Sequence, residues 1–296
     1  MTGTSRAVRR RAAAAVAVVL CLSAIVAAAP VDADSHVDIE EYVVQEVRGD
    51  VAVFTLSVPD GEPATLVVDG ADANRTRLDL TDADTDGRIE VTANTYLAGP
   101  NATASDVYDV SDGDSLSTDG TTNVRLPAGT YRVEAYGNGT GVQPADTVRF
   151  TLTEPGFGNA TVMVAPAGRA GRFTSKAAIE RARTEGWLTP ATAVAAGDTV
   201  LLRLQLPGIE GGVVDAGGRD TRAFRRYLDR PDVRIAFVER YPGPSMDRQR
   251  LLLNGSSFES VVADPTNGTY YVAFGLDEIP HTHERRSPKH GDESGS

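Results

Sequence analysis

The chain has 296 residues, room for about two domains of ordinary size. Its formal net charge of -12, from 41 acidic against 29 basic residues, with Lys176 and Lys289 the only lysines, is the balance of a protein adapted to high salt; it repels phosphate and so excludes nucleic acid as a partner. The single cysteine, Cys21, lies in an apolar leader, so the chain beyond the leader has no disulfide and no thiolate chemistry and must be held by core packing.

Arg6, Arg9, Arg10 and Arg11 precede an apolar run from Ala12 to Ala29. This is the basic and apolar layout of an export signal, Val26-Ala27-Ala28 and Val31-Asp32-Ala33 both offer cleavage sites, and residues 1–33 read as a signal peptide. With the leader removed, no retained transmembrane anchor is expected, and the protein is expected outside the cell, at the cell surface. Strands are expected at Ile39–Val47 and Val51–Val58, with Arg48-Gly49-Asp50 as a hairpin turn between them. Ala64–Val68, Leu78–Leu80 and Arg88–Tyr96 come next. Before the last of these, Asp82, Asp84, Asp86 and Gly87 form an acidic turn; after it, Ile89, Val91 and Ala93 alternate with polar residues. Pro127-Ala128-Gly129 turns into Tyr131–Tyr136, and Asp146–Thr153 closes the set. Short strands at this spacing predict a β-sandwich over residues 37–154.

The second part, 155–279, starts with a strand at Thr161–Val164. Lys176–Glu185 is a helix, with Thr174 or Ser175 as N-cap and Gly186 past its end. Thr189-Pro190 opens a short helical turn that Gly197 ends, and Thr221–Leu228 is a further helix. Strands are expected at Thr199–Leu206, Val233–Glu239, Arg250–Leu253, Phe258–Val262 and Tyr270–Phe274. Trp187 reads as a residue docking the first helix on the core. The expected fold class is therefore all-β: two Ig-like β-sandwich domains in tandem, the second with a short helical insertion. Residues 280–296 lack large apolar side chains and read as a disordered tail.

The runs EVRGDVAVFTLSV, DTDGRIEVTANTYLAG and LPAGTYRVEAYG, then GDTVLLRLQLPGIEG and RLLLNGSSFESVVADPTNGTYYVAFGLDEI, resemble the N-terminal part of haloarchaeal surface-layer-type cell-surface glycoproteins. The resemblance covers residues 37–279. It implies a halophilic archaeal source and a structural role in an extracellular coat, or cell wall, as an S-layer module. The partners it implies are other surface-layer glycoproteins, self-assembly among copies, and N-glycans. It implies no reaction. Members of that family continue into more domains and a C-terminal membrane anchor with a Pro-Gly-Phe signal; here Pro155-Gly156-Phe157 is internal and no hydrophobic span comes after it, as in a truncated reading frame. The alternative is a secreted adhesion or glycan-binding protein.

Six of the eight asparagines, Asn74, Asn101, Asn138, Asn159, Asn254 and Asn267, begin Asn-x-Ser/Thr acceptors, an excess that points to N-glycosylation. Asp82, Asp84 and Asp86, with Gly87, copy the spacing that opens a calcium loop. A calcium loop of the EF-hand kind also needs a glutamate where Ala93 stands, and the same positions suit a solvated acidic turn. His281, His283 and His290 cluster in the tail without a framework to orient metal ligands. His36 is the only other histidine, and no Gly-x-Ser-x-Gly or His-Glu-x-x-His motif occurs, so the protein reads as non-enzymatic and without a required cofactor.

Overall fold

Period-two alternation, clearest at Thr76–Thr81 and Arg88–Asn94, selects the face that strands of the first part bury. A computed structural model describes residues 36–276 except 60, 71–74, 138–142, 196, 232, 234 and 239–248, together with 282 and 283. The leader with Cys21, the acceptors Asn74 and Asn138, and His281 and His290 lie outside the described residues. The strands are β1 (Asp38–Ile39), β2 (Val43–Val47), β3 (Val51–Ser57), β4 (Pro63–Gly70), β5 (Thr76–Thr81), β6 (Arg88–Asn94), β7 (Tyr108–Val110), β8 (Ser115–Thr118), β9 (Gly129–Tyr136) and β10 (Asp146–Thr153). They form a four-stranded sheet, β1-β3-β6-β7, and a six-stranded sheet, β2-β10-β9-β4-β5-β8. A single-turn helix, α1 (Ala104–Val107), leads into β7. The inner faces share one core: Phe54, Leu56, Ile89 and Val91 meet Leu66, Leu78, Val133 and Phe150. Phe54 packs edge-on against Phe150 at 5.2 Å. Tyr131 Oη donates to the Pro127 carbonyl at 2.5 Å, the tyrosine corner found in Greek-key sandwiches.

One expected strand is two. The chain from Ile39 to Val47 changes sheets: β1 pairs antiparallel with β3, whereas β2 runs parallel to β10. Between them Glu41 turns its carboxylate onto the Thr55 N–H at 2.9 Å. Arg48-Gly49-Asp50 is consequently no hairpin, since β2 and β3 belong to different sheets. It is a corner between layers, and Gly49 at φ +102° supplies the backbone freedom it needs.

The second part is built on a five-stranded antiparallel sheet. Its strands are β11 (Ala160–Ala165), β12 (Thr189–Pro190), β13 (Thr199–Gln205), β16 (Ser260–Asp264) and β17 (Thr269–Gly275), in the order β12-β11-β13-β17-β16. Three further strands, β14 (Ile235–Val238), β15 (Gln249–Leu253) and β18 (Thr282–His283), form a small sheet in the order β14-β15-β18. Thus part of the tail expected to be disordered pairs with Gln249-Arg250. Helix α2 (Lys176–Thr184) covers one face of the large sheet, where Ile179 and Ala182 meet Leu201 and Ala273. Ser175 Oγ accepts from the Ala178 N–H at 3.2 Å and caps that helix, as its sequence position predicts. Trp187 stacks on Phe173 at 5.6 Å beside it.

Helices α3 (Glu210–Asp215) and α4 (Thr221–Leu228) lie on the other face, with Val213, Phe224 and Tyr227 among Val200, Leu202, Tyr270 and Phe274. This half is a sheet covered by helices on both faces, so helix contributes more than a short insertion. Thr189-Pro190 is an edge strand paired with Met163-Val164, where a helical turn was expected. A proline without an N–H suits a sheet edge as well as a first helical turn. The described residues group into one compact unit.

Candidate functional site

Three places carry polar groups in purposeful arrangements: the acidic turn, the glycan acceptors, and a seam between the two β-structures that no local sequence signal marks.

In the turn, Asp82 is only 1% exposed. Its Oδ2 accepts from the N–H groups of Gly61 at 3.3 Å and Gly87 at 3.0 Å, and its Oδ1 from that of Asp86 at 3.2 Å. Asp84 Oδ1 accepts from the same Asp86 N–H at 3.3 Å, and Asp86 Oδ1 from the Arg88 N–H at 2.8 Å. Each carboxylate therefore serves the backbone of its own loop. Burial pushes the Asp82 carboxyl up, but the three N–H donors outweigh it and hold it below its ordinary range. Burial and the Asp86 charge push Asp84 the other way. One oxygen from each of the three lies within 4.8 Å of the others, so the structure brings the sequence-marked carboxylates together in a group able to contact one cation.

The acceptors differ in what holds them. Asn101 and Asn159 are exposed. Asn254 Oδ1 caps a 3-10 turn, accepting from the Ser257 N–H at 3.1 Å and from the hydroxyl of Ser256, its own motif residue, at 2.7 Å. Asn267 Nδ2 donates to Asp264 at 3.0 Å, and the Thr269 of its motif is buried. No sequence motif signals these ties.

The seam begins at the corner between β2 and β3. The Asp50 side chain, 6% exposed, accepts from the N–H groups of Gly208 and Glu210, both at 2.9 Å. The Gly49 carbonyl accepts from Gly211 N–H at 2.8 Å, and Asn94 Nδ2 donates to the Gly211 carbonyl at 3.0 Å. Thr95 Oγ1 ties the corner from behind, accepting from Gly49 N–H and donating to the Asp50 carbonyl, each at 2.7 Å. The backbones come so close that only glycine fits. A Cβ on Gly49 would lie 2.0 Å from the Gly208 oxygen, and one on Gly211 2.2 Å from Asn94 Oδ1. Arg230 completes the contact: its guanidinium donates to Tyr96 Oη at 2.7 Å and to Asp215 at 2.5 Å.

The seam is also acidic. Glu210 is buried and paired with Arg219 at 2.7 Å. Burial, then the charges of Asp50 and Glu210, push the Glu46 carboxyl up to about 7. Burial raises Asp50 as well, against the two N–H groups that favour its charged form. The buried Tyr270 hydroxyl is raised by the same burial and by the charges of Glu210 and Asp50. His36 lies apart, 3.3 Å from Asp38 on the surface. Among the described residues, no helix is long and apolar enough to cross a membrane.

Comparison with known proteins agrees with the strand motifs. Residues 30–136 match the model of a domain of unknown function (DUF7827). A cell surface glycoprotein of Haloferax gibbonsii is 27% identical over 256 residues, which is 83% of this chain and 28% of that protein. Cell surface glycoprotein 1 of Haloarcula hispanica is 26% identical over 276 residues, 83% of this chain and 30% of its own length. The chain thus spans less than a third of the length of these curated relatives. Among solved structures, a marsupial T cell receptor aligns with 84% of this chain and 87% of its own, at 11% identity and a TM-score of 0.23, too low to carry an argument. Through both of its β-structures, then, the chain is similar to the cell surface glycoproteins of halophilic archaea, the family that its strand motifs resemble.

Proposed function

We propose that this chain is a non-enzymatic structural module of a haloarchaeal cell surface, of the surface-layer type, exported by its leader and carrying N-glycans. The observation that carries the reading is the similarity to two haloarchaeal cell surface glycoproteins over 83% of the chain, through both β-structures. The seam supports it: a corner locked to α3 by backbone hydrogen bonds makes a stiff element, as a coat under lateral load requires. The formal charge of -12 supports it too, since an acidic surface stays soluble and folded where salt screens its self-repulsion. Cell fractionation tests the reading. The protein should collect in the envelope fraction of its source cell; recovery from the culture supernatant alone would favour the secreted adhesion protein instead. Glycopeptide mass spectrometry of the same material should find Asn101 and Asn159 occupied more fully than Asn267, whose amide and motif hydroxyl are already engaged.

A further inference from the structure

The outer face of the six-stranded sheet contains a groove of about 730 Å3 across β4, β9 and β10. Strand register sets its chemistry. Asp69 lies opposite Arg132, and Arg132 lies opposite Arg149. Two arginines facing each other across an antiparallel pair repel, and in a chain this acidic such a pair needs a reason. Glu134 answers for only one of them: it pairs with Arg132 at 3.0 Å and is shared with Arg75 at 3.6 Å. Among the described residues Arg149 forms no ion pair. A planar anion between the two guanidiniums would relieve the repulsion and take paired N–H donors. Thr130, Thr147 and Asp69 add hydroxyl and carboxylate groups to a lining that Gly70, Tyr131 and Val148 complete. These groups suit a ligand with several hydroxyls as well as one negative charge. At the sheet edge beside Arg149, Val43 is 59% exposed, and Tyr42 just before it is 95% exposed. Val43 thus puts an apolar side chain next to Arg149, outside the groove's own lining.

We propose that this groove binds a sugar acid, a hexuronate unit, with Arg132 and Arg149 on its carboxylate and Asp69, Thr130 and Thr147 on its hydroxyls. The inference is independent of the coat reading, which cell fractionation tests separately. The test is an NMR titration of the full chain, expressed without glycans, at one fixed high salt concentration. Sodium glucuronate, glucose and sodium acetate are the probes. Glucuronate should shift the Arg132 and Arg149 side-chain signals saturably, and more tightly than acetate or glucose. Arg149→Gln should weaken glucuronate binding at least tenfold. Asp69→Asn should narrow the preference for glucuronate over acetate, since it removes a hydroxyl acceptor together with a charge that repels both anions alike, and it carries the test should Arg149→Gln alter the unfolding midpoint. No saturable shift with glucuronate, an equal response in Arg149→Gln, or acetate binding as tightly as glucuronate would each overturn the proposal.

Discussion

The acidic turn and the seam use one device at two ranges. In both, a nearly inaccessible aspartate accepts hydrogen bonds from backbone N–H groups. Asp82 serves Gly61, Asp86 and Gly87, all close in sequence or across one hairpin, whereas Asp50 serves Gly208 and Glu210, more than 150 residues away. Their carboxyl groups shift in opposite directions. At Asp82, three N–H donors overcome burial and the charged form wins. At Asp50, burial prevails over two donors, and the Glu210 charge adds to it. What decides the outcome is how many donors converge and what other charge shares the space. The turn is a self-contained loop; the seam holds like charges together because the backbone geometry requires them there.

The largest effect should come from breaking the seam at its closest approach. Gly49→Ala places a methyl 2.0 Å from the Gly208 oxygen and forces a side chain onto φ +102°. It should cost on the order of 3 kcal/mol or more in denaturant unfolding, because backbone, not a flexible side chain, must give way. Gly99→Ala, with nothing within 4 Å of its Cβ, is the control and should be nearly neutral. Equal effects would show that the seam opens freely.

The turn should be more forgiving. Asp82→Ala takes the acceptor from the Gly61 and Gly87 N–H groups and leaves the Asp86 N–H with Asp84 alone, and it should lower the unfolding midpoint by several degrees. Asp84→Asn with Asp86→Asn keeps the amide oxygens in place and relieves like-charge repulsion, so the midpoint should barely move. With the carboxylates already committed to backbone donors, saturating Ca²⁺ should leave the wild-type midpoint where chelator leaves it. A calcium-dependent rise that disappears on replacing Asp82, Asp84 and Asp86 with Asn would make the group a cation site.

The two regions also differ in how far they could be read from residues alone. The turn was legible because Asp, Gly and the alternation after Arg88 are local signals. So was α2, with Ser175 before it and Gly186 after it. The seam was not. Asp50 looks like any turn aspartate until strand register brings it to Gly208. Helix α3 was hidden by its own adaptation: Gly211 and Gly212 weaken helix propensity by roughly 1 kcal/mol each. They stand there because a Cβ on Gly211 would strike Asn94, and one on Gly212 would lie 2.5 Å from the Tyr227 ring. Close approach between distant segments erased the helix signal. The same long-range logic turned Arg48-Gly49-Asp50 from an expected hairpin into a corner, since glycine permits both and only the pairing of β2 with β10 decides. The glycan acceptors were visible as motifs, but the bond from Asn267 to Asp264 depends on how one turn folds.

The smallest expected effect is a pH dependence that isolates the seam. Glu46 is raised from 4.5 to about 7, so the folded protein holds that proton more tightly than the unfolded chain does. Where the folded state binds more protons, stability falls as pH rises. The Glu46 contribution is thus fully favourable below about 4.5, is lost between 4.5 and about 7, and is constant above that. Asp50, raised as well, acts with the same sign. Asp82 acts oppositely: its stabilisation is present above the ordinary aspartate range and is lost as pH falls through its lowered value. The charges facing Glu46 are Asp50 and Glu210; Arg219 is engaged with Glu210 at 2.7 Å, and Arg48, two residues along the chain, with Glu154 at 3.1 Å. Glu46→Gln removes the titrating group while keeping its shape. Unfolding free energies of wild type and variant, measured at one fixed salt concentration from pH 4.5 to 8, should diverge in the variant's favour as pH rises. Because Glu46 is partly exposed and screened, the gap should reach only a few tenths to about 1 kcal/mol, and it should level off above pH 7. Parallel curves would mean that Glu46 titrates in water, and that the seam is held by backbone geometry without electrostatic strain.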